Sequence, residues 1–134
     1  MAWTSTLIAA RGIDSDSPEL EYLMTSDGSA SAAYGNSAAI KIWHRCMKGT
    51  YLQEVVTKPG SGAVAPGAAY TLTVYDVDGV QIHQMTNRSV NTNERVNIPS
   101  ETGKQWKMNG PVTLVFGDLG DSGDQTTVKL IFAK

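Results

Sequence analysis

The 134-residue sequence has little of what secreted, membrane-spanning or nucleic-acid-binding proteins need. It has one cysteine, so no disulfide can form within the chain and the fold must rest on its core. No apolar run approaches the roughly 20 residues that cross a bilayer. The 11 basic and 13 acidic residues are scattered, with no Lys or Arg run to follow a phosphate backbone. We therefore expect neither a membrane partner nor a nucleic-acid partner.

The remaining composition is that of a globular domain, with 41% hydrophobic and 18% charged residues. Residues 1–11 have no basic residue ahead of their short apolar patch, which is a poor match to a secretory signal. Synthesis in a reducing cytoplasm is expected, and the length suits one core. We predict a single domain, 1–134.

Short runs of β-forming residues, bounded by Gly, Pro, Asn and Asp, recur at intervals of roughly 8–12 residues. They predict an all-β fold, either an antiparallel β-sandwich or a jelly-roll-like barrel of about eight strands. A stretch at 17–24 fits a helix start, but its apolar residues alternate, which favours a strand. A short strand at 106–108 is a further possibility, and the last two strands are expected to be neighbours. The predicted strands are 3–8, 37–44, 51–57, 69–75, 80–85, 96–98, 112–117 and 125–133.

The clearest local pattern is a hairpin around Asp78-Gly79. A two-residue turn there would place Val74 opposite His83 and scatter apolar side chains over both faces. A loop one residue longer places Val74 opposite Ile82 and gathers the apolar residues on one face. We therefore predict the longer loop, with Gly79 at positive φ. The predicted core face consists of Tyr70, Leu72, Val74, Val80 and Ile82.

Few residues suggest chemistry. His44 and Cys46 stand two apart on one strand, and His83 would complete a three-ligand zinc set, but ligand spacing and a fourth ligand are missing. The same His and Cys are too far apart along a strand to act as a nucleophile and its base. A strand end with a buried thiol is the favoured interpretation. We predict no catalytic residue and no cofactor.

Two surfaces are candidates for binding. Asp118, Asp121 and Asp124 lie in a Gly-rich loop and are weak calcium candidates, although their spacing is not that of an EF-hand and such loops are mostly hydrophilic connections. Trp43 and Lys41 lie on the strand face opposite Ile40 and Ile42. An outward Trp suggests a sugar-stacking surface or a subunit contact, unless a loop covers that face too. The interface candidates are Trp43, Lys41, Asp118 and Asp124.

The runs 70–85, 109–116 and 127–132, with Thr-, Ser-, Ala- and Gly-rich loops, resemble the small β-rich structural proteins of tailed bacteriophage particles. Examples are capsid decoration (cement) proteins and head–tail or tail components. The resemblance is one of composition and organisation over the C-terminal half, without a diagnostic motif. It implies a non-enzymatic virion protein, made in the host cytoplasm, that binds other virion subunits as a homo-oligomer, with a trimer favoured. The alternatives are a carbohydrate-binding module with exposed aromatics and, third, a small hydrolase with convergent acids or His.

Overall fold

A computed structural model of the chain describes residues 4–26, 39–117 and 122–134. Within these residues, nine strands form two antiparallel sheets, joined by one short helix, α1 (Ile98–Thr102), and two single 3-10 turns (Arg45–Met47 and Gly62–Val64). The strands are β1 Thr4–Arg11, β2 Glu19–Thr25, β3 Ala39–Ile42, β4 Tyr51–Pro59, β5 Tyr70–Tyr75, β6 Gln81–Arg88, β7 Glu94–Asn97, β8 Val112–Gly117 and β9 Gln125–Ala133.

The strand order shows a nested arrangement. One sheet has the order β1-β2-β9-β4-β7 and the other β3-β8-β5-β6. Strands β5 and β6 pair at the centre of the chain, and successively outer pairs are β4 with β7, β3 with β8, and β2 with β9. A long hairpin rolled up in this way over two sheets is a jelly roll, here with β1 added outside β2. The predicted all-β sandwich fold is confirmed.

The core lies between the two sheets and is built by strand alternation. In β2 the alternating Leu20, Tyr22 and Met24 are buried at 0%, 8% and 0% exposure, so the segment that also suited a helix start is a strand. The largest fully buried side chains include Tyr70 and Phe116 from one sheet and Phe132 from the other. Packing of the two inner faces therefore supplies the hydrophobic stabilisation of the fold.

The central hairpin has the predicted loop. Asp76 N donates to Val80 O at 2.9 Å, and Gly79 has a φ of 77°. The Asp76 carboxylate also accepts from the backbone N–H groups of Asp78 and Val80, both at 2.9 Å. The Asp and the Gly thus do what their positions in the sequence predicted.

The predicted register is kept at the first pair beyond the loop, where Tyr75 is opposite Gln81, and is wrong from the next pair on. Val74 is opposite His83 instead of Ile82, because Ile82 bulges out of the ladder. A bulge shifts the register by one residue and lets Ile82 remain buried. Val80 was also placed wrongly. It precedes β6 at the tip of the loop and is 53% exposed, whereas the other four residues of the predicted core face are buried.

Pro99 ends the strand predicted at 96–98, but it does so by starting a helix. The Asn97 side chain accepts from Ser100 N at 3.0 Å, and the proline lies in the first turn of α1. Gly103, with a φ of 76°, closes the helix. The strand β7 therefore ends at Asn97, and Ile98 is the buried residue of α1 rather than a strand residue.

Three other expectations about strands need correction. Residues 106–108 form only a β-bridge between Lys107 and Tyr51. Strand β3 begins at Ala39 and ends at Ile42, inside the predicted 37–44, of which 37 and 38 lie outside the described residues. Strands β8 and β9 are not neighbours, because they belong to different sheets and the chain crosses between them.

Candidate interaction surfaces

The His44 and Cys46 pair is a turn cap in the structure. His44 Nδ1 accepts from Cys46 N at 3.1 Å and so caps the 3-10 turn Arg45–Met47. Burial raises the pKa of the Cys46 thiol, which disfavours the nucleophilic thiolate. His83 lies on β6, at the opposite edge of the four-stranded sheet from β3. Within the described residues no three His, Cys, Asp or Glu side chains cluster as metal ligands would.

The acidic loop is only partly described. Asp118 and Asp121 lie outside the described residues, so their calcium and contact roles stay predictions. Asp124 is 8% exposed, and its carbonyl oxygen accepts from Ser26 N at 2.8 Å. This residue is therefore part of the connection between β9 and the end of β2, and its side chain is not on an open surface.

Trp43 and Lys41 lie on the side of β3 away from the core. Ile40 and Ile42 are 8% and 2% exposed, whereas Trp43 is 44% exposed and Lys41 is exposed as well. Lys41 is paired with Thr113 on β8, and Thr113 is paired in turn with Tyr75 on β5. Lys41 and Trp43 are thus accessible, whereas Thr113 beside Lys41 is only 3% exposed. The binding role of Trp43 and Lys41 remains a prediction.

A second surface, which the sequence did not indicate, adjoins Lys41 at the hairpin tip. A small cavity of ≈ 110 Å³ is lined by Lys41, Val77, Pro111 and Thr113, which we call the tip pocket. Val77 is 46% exposed, and a Cβ on Gly110 would lie only 2.5 Å from its Cγ2 atom. The backbone at Gly110 therefore passes directly beneath the tip. The one signal in the sequence that could have identified this surface is the pair of aliphatic residues, Val77 and Val80, in a turn.

The outer face of the five-stranded sheet carries a buried charge. The side chain of Glu21 on β2 is 7% exposed and accepts from Lys58 Nζ at 2.8 Å and from Arg11 Nη1 at 3.0 Å. The hydrogen bond from Lys58, assisted by Arg11, lowers the pKa of this carboxyl against the opposing effect of burial. Glu21 is thus ionised and paired at neutral pH.

Further ion pairs extend over the same face. Glu19 lies 4.0 Å from Arg11 and 3.9 Å from Lys129 Nζ, and Arg95 on β7 contacts Glu54 on β4. Charges of opposite sign thus alternate across the strands and compensate one another within the chain. These residues form no continuous stripe of positive charge that would attract a polyanion.

The third surface is the strand β1 itself. Seven of its eight residues are exposed, and only Ala9 is half-buried. Leu7 and Ile8 are 41% and 51% exposed, which is unusual for two consecutive aliphatic residues. The strand pairs with β2 on one side and forms the edge of the sheet on the other.

Comparison with known proteins gives a likeness of fold. No protein-family model matches the chain, and no curated protein matches it. Among solved structures it is similar in fold to a chain of the acidic-stable capsid structure of Helicobacter pylori bacteriophage KHP30. That neighbour is a phage capsid protein. The TM-score is 0.50 and the sequence identity 9%, and the match covers 98% of this chain and 93% of the capsid chain.

The likeness to the capsid chain extends over the whole sandwich and concerns the fold alone, since 9% identity carries no residue across. In the described part of the chain, no helix is long and apolar enough to cross a membrane.

Proposed function

We propose that this chain is a structural protein of a phage particle, of the capsid decoration (cement) kind, which binds neighbouring capsid subunits. One observation carries the proposal. The nested two-sheet fold matches a chain of a phage capsid over nearly its full length in both directions. The role is structural rather than enzymatic, and the location is the virion.

The surfaces are suited to this role. A sandwich with a continuous core is rigid, and its edges and loops carry the contacts. Among the described residues, the large hydrophobic side chains that remain exposed fall at β1, at the end of β3 and at the hairpin tip, and a capsid partner would cover some of them. They are Leu7, Ile8, Trp43, Val77 and Val80.

The test is binding to assembled shells. The purified chain is mixed with empty shells of the coat protein encoded in the same genome and sedimented. We expect saturable co-sedimentation at a fixed ratio and a higher disruption temperature of the shells. Trp43→Ala and Val77→Asp should weaken binding, and Gln105→Ala, an exposed residue that belongs neither to β3 nor to the tip pocket, serves as the control. Absence of binding to shells at any ratio would contradict the proposal, and binding to tails would favour a head–tail or tail component.

A carbohydrate-binding role is the second candidate, because lectins share the jelly roll and Trp43 is exposed. A sugar platform needs several coplanar aromatics. Trp106 is half-buried, lies 3.7 Å beneath Lys104 Nζ and donates from Nε1 to Thr102 Oγ1. Trp43 is therefore the one aromatic among the large exposed hydrophobics of the described residues. Retention on immobilised polysaccharide that is lost in Trp43→Ala would favour this candidate over the capsid role.

A further inference from the structure

The segment that leads into β8 contains an asparagine followed by a glycine, Asn109 and Gly110. Asn109 is exposed, and neither residue belongs to a helix or a strand. Asparagine is a thermolabile residue, because the backbone nitrogen of the next residue can attack its side-chain carbonyl carbon. A glycine in the next position has no side chain to hinder that attack. The pair is therefore a candidate site of covalent modification.

The two groups that would react are not held by hydrogen bonds. Within residues 4–26, 39–117 and 122–134, neither the Asn109 side chain nor the Gly110 N–H takes part in one. A backbone N–H that already donates must lose that bond before its nitrogen can attack, which costs free energy. The Gly110 nitrogen has no such bond to lose.

The other asparagines of the described residues are less suited to this reaction. Thr92, which follows Asn91, donates its N–H to Ser89 Oγ at 3.0 Å. The side chain of Asn97 accepts from Ser100 N at 3.0 Å and is thereby held as the cap of α1. The remaining two are followed by a long charged side chain that hinders the attack, and they are Asn87 and Asn93.

The close packing under the hairpin tip requires a glycine at position 110. A Cβ there would lie 2.5 Å from Val77 Cγ2 and 3.1 Å from Val77 Cβ, so any other residue would push the tip away. Glycine in such a position allows another part of the chain to approach the backbone closely. The pairing of Asn109 with a glycine is thus tied to the packing of the tip.

We propose that Asn109 converts spontaneously, in the folded protein, to a mixture of aspartate and isoaspartate. The deprotonated Gly110 nitrogen bonds to Asn109 Cγ, the Cγ–Nδ2 bond breaks, and ammonia leaves with the proton from Gly110. Water then opens the cyclic imide. Cleavage at Cγ gives aspartate, and cleavage at the main-chain carbonyl carbon gives isoaspartate. The formal net charge of the chain changes from −2 to −3, and the reaction does not depend on the virion role.

The isoaspartate form should alter the tip pocket, because it adds one carbon to the main chain between Met108 and Gly110. Met108 is fixed by both of its backbone groups, since its N–H donates to Thr50 O at 2.7 Å and its carbonyl oxygen accepts from Gly49 N at 3.0 Å. On the other side, β8 begins two residues after Gly110. The added length is therefore taken up around Gly110, directly beneath Val77.

Peptide mass spectrometry of the folded full chain, incubated at pH 6 and at pH 8, tests the proposal. Trypsin releases residues 108–129, a peptide in which Asn109 is the sole asparagine. Compared with an unincubated sample, this peptide should exchange its amide NH₂ for OH and become a substrate of protein isoaspartate methyltransferase. The change should be faster at pH 8, because the Gly110 nitrogen reacts after losing its proton. The peptide that contains Asn91 should keep its amides.

Two variants complete the test. Asn109→Gln should abolish both the mass change and the methylation, since glutamine would have to close a larger ring. Asn91→Gln is the matched control and should leave the reaction at Asn109 unchanged, and melting temperatures show that both variants fold. The proposal is overturned if the folded protein keeps the Asn109 amide while the chain unfolded in urea loses it. Formation of aspartate without isoaspartate, or earlier loss of the amide at Asn91, would also overturn it.

Discussion

The hydroxyl of Tyr70, on β5 of one sheet, lies 2.8 Å from Thr126 Oγ1, on β9 of the other sheet. Thr126 Oγ1 also donates to the carbonyl oxygen of Lys58 on β4, at 3.3 Å. The ring of Tyr70 packs at 6.2 Å and 44° from that of Phe116. A buried polar contact thus joins three strands across the sandwich, in a core that is otherwise held by apolar packing.

Removal of the Tyr70 hydroxyl should weaken the fold without opening a cavity. We expect Tyr70→Phe to lower the free energy of unfolding by about 1–2 kcal/mol, since Thr126 keeps the Lys58 carbonyl as a partner. Thr126→Val removes the other half of the contact. Urea unfolding of both single variants and the double variant measures the coupling. Strictly additive losses would show that the two groups do not interact.

The ion pairs of Glu21 should make the free energy of unfolding depend on pH in the acidic range. The folded-state pKa of Glu21 is lowered, so its contribution is fully present above the ordinary glutamate pKa of about 4.3 and is lost as the pH falls through the lower folded value. Glu21→Gln should be about 1–2 kcal/mol less stable at pH 7, and this difference should shrink towards pH 3.

Thermal unfolding of wild type and Glu21→Gln between pH 7 and pH 3 checks the acid dependence. Glu101→Gln is the matched control, because Glu101 is exposed on α1 and lies outside the ion pairs of the five-stranded sheet. It should follow the wild-type curve. The cluster has no such role if Glu21→Gln and wild type lose stability in parallel as the pH falls.

Cys46 should be protected in the folded protein. It is buried, and its raised pKa reduces the thiolate fraction at pH 8. We expect a disulfide reagent such as 5,5′-dithiobis(2-nitrobenzoate) to modify it slowly in buffer and rapidly in denaturant. Rapid stoichiometric modification of the native protein would mean that the 3-10 turn Arg45–Met47 opens readily.

A side chain at Gly79 should destabilise the hairpin tip. Its φ of 77° is strained for any L-residue, so Gly79→Ala should cost about 1 kcal/mol. Gly67 is an exposed glycine outside the positive-φ group, and Gly67→Ala should change stability little. Chemical denaturation of the two variants compares them directly, and equal midpoints would show that the loop relaxes to accept a Cβ.

Local patterns in the sequence predicted the parts of the fold that depend on neighbouring residues. Alternation identified the strand with Leu20 and Met24, and the Asp-Gly pair identified the hairpin loop. The bulge at Ile82 escaped prediction because it is set by packing against the opposite sheet, and no residue type marks it. The assignment of β8 and β9 to different sheets depends on pairings distant in sequence, which periodicity does not contain.

The surfaces were harder to predict than the fold. Trp43 stood out because its neighbours Ile40 and Ile42 fix its side of the strand. The Glu21 cluster could not be predicted, because residues 11, 21 and 58 come together only when the strands that carry them are placed in the sheet. The exposure of β1 was also missed, because a run of Thr, Leu, Ile and Ala has the same composition whether it is covered or open.

The nested strand order also determines when this chain can fold during synthesis. Strand β9 is the last strand in chain order, yet it lies between β2 and β4 in the five-stranded sheet. Until the ribosome has released residue 133, β2 and β4 each lack a neighbour and leave hydrogen-bonding edges unsatisfied. Closure of the sandwich therefore waits until β9 is available, and until then the exposed edges of β2 and β4 can associate with other chains.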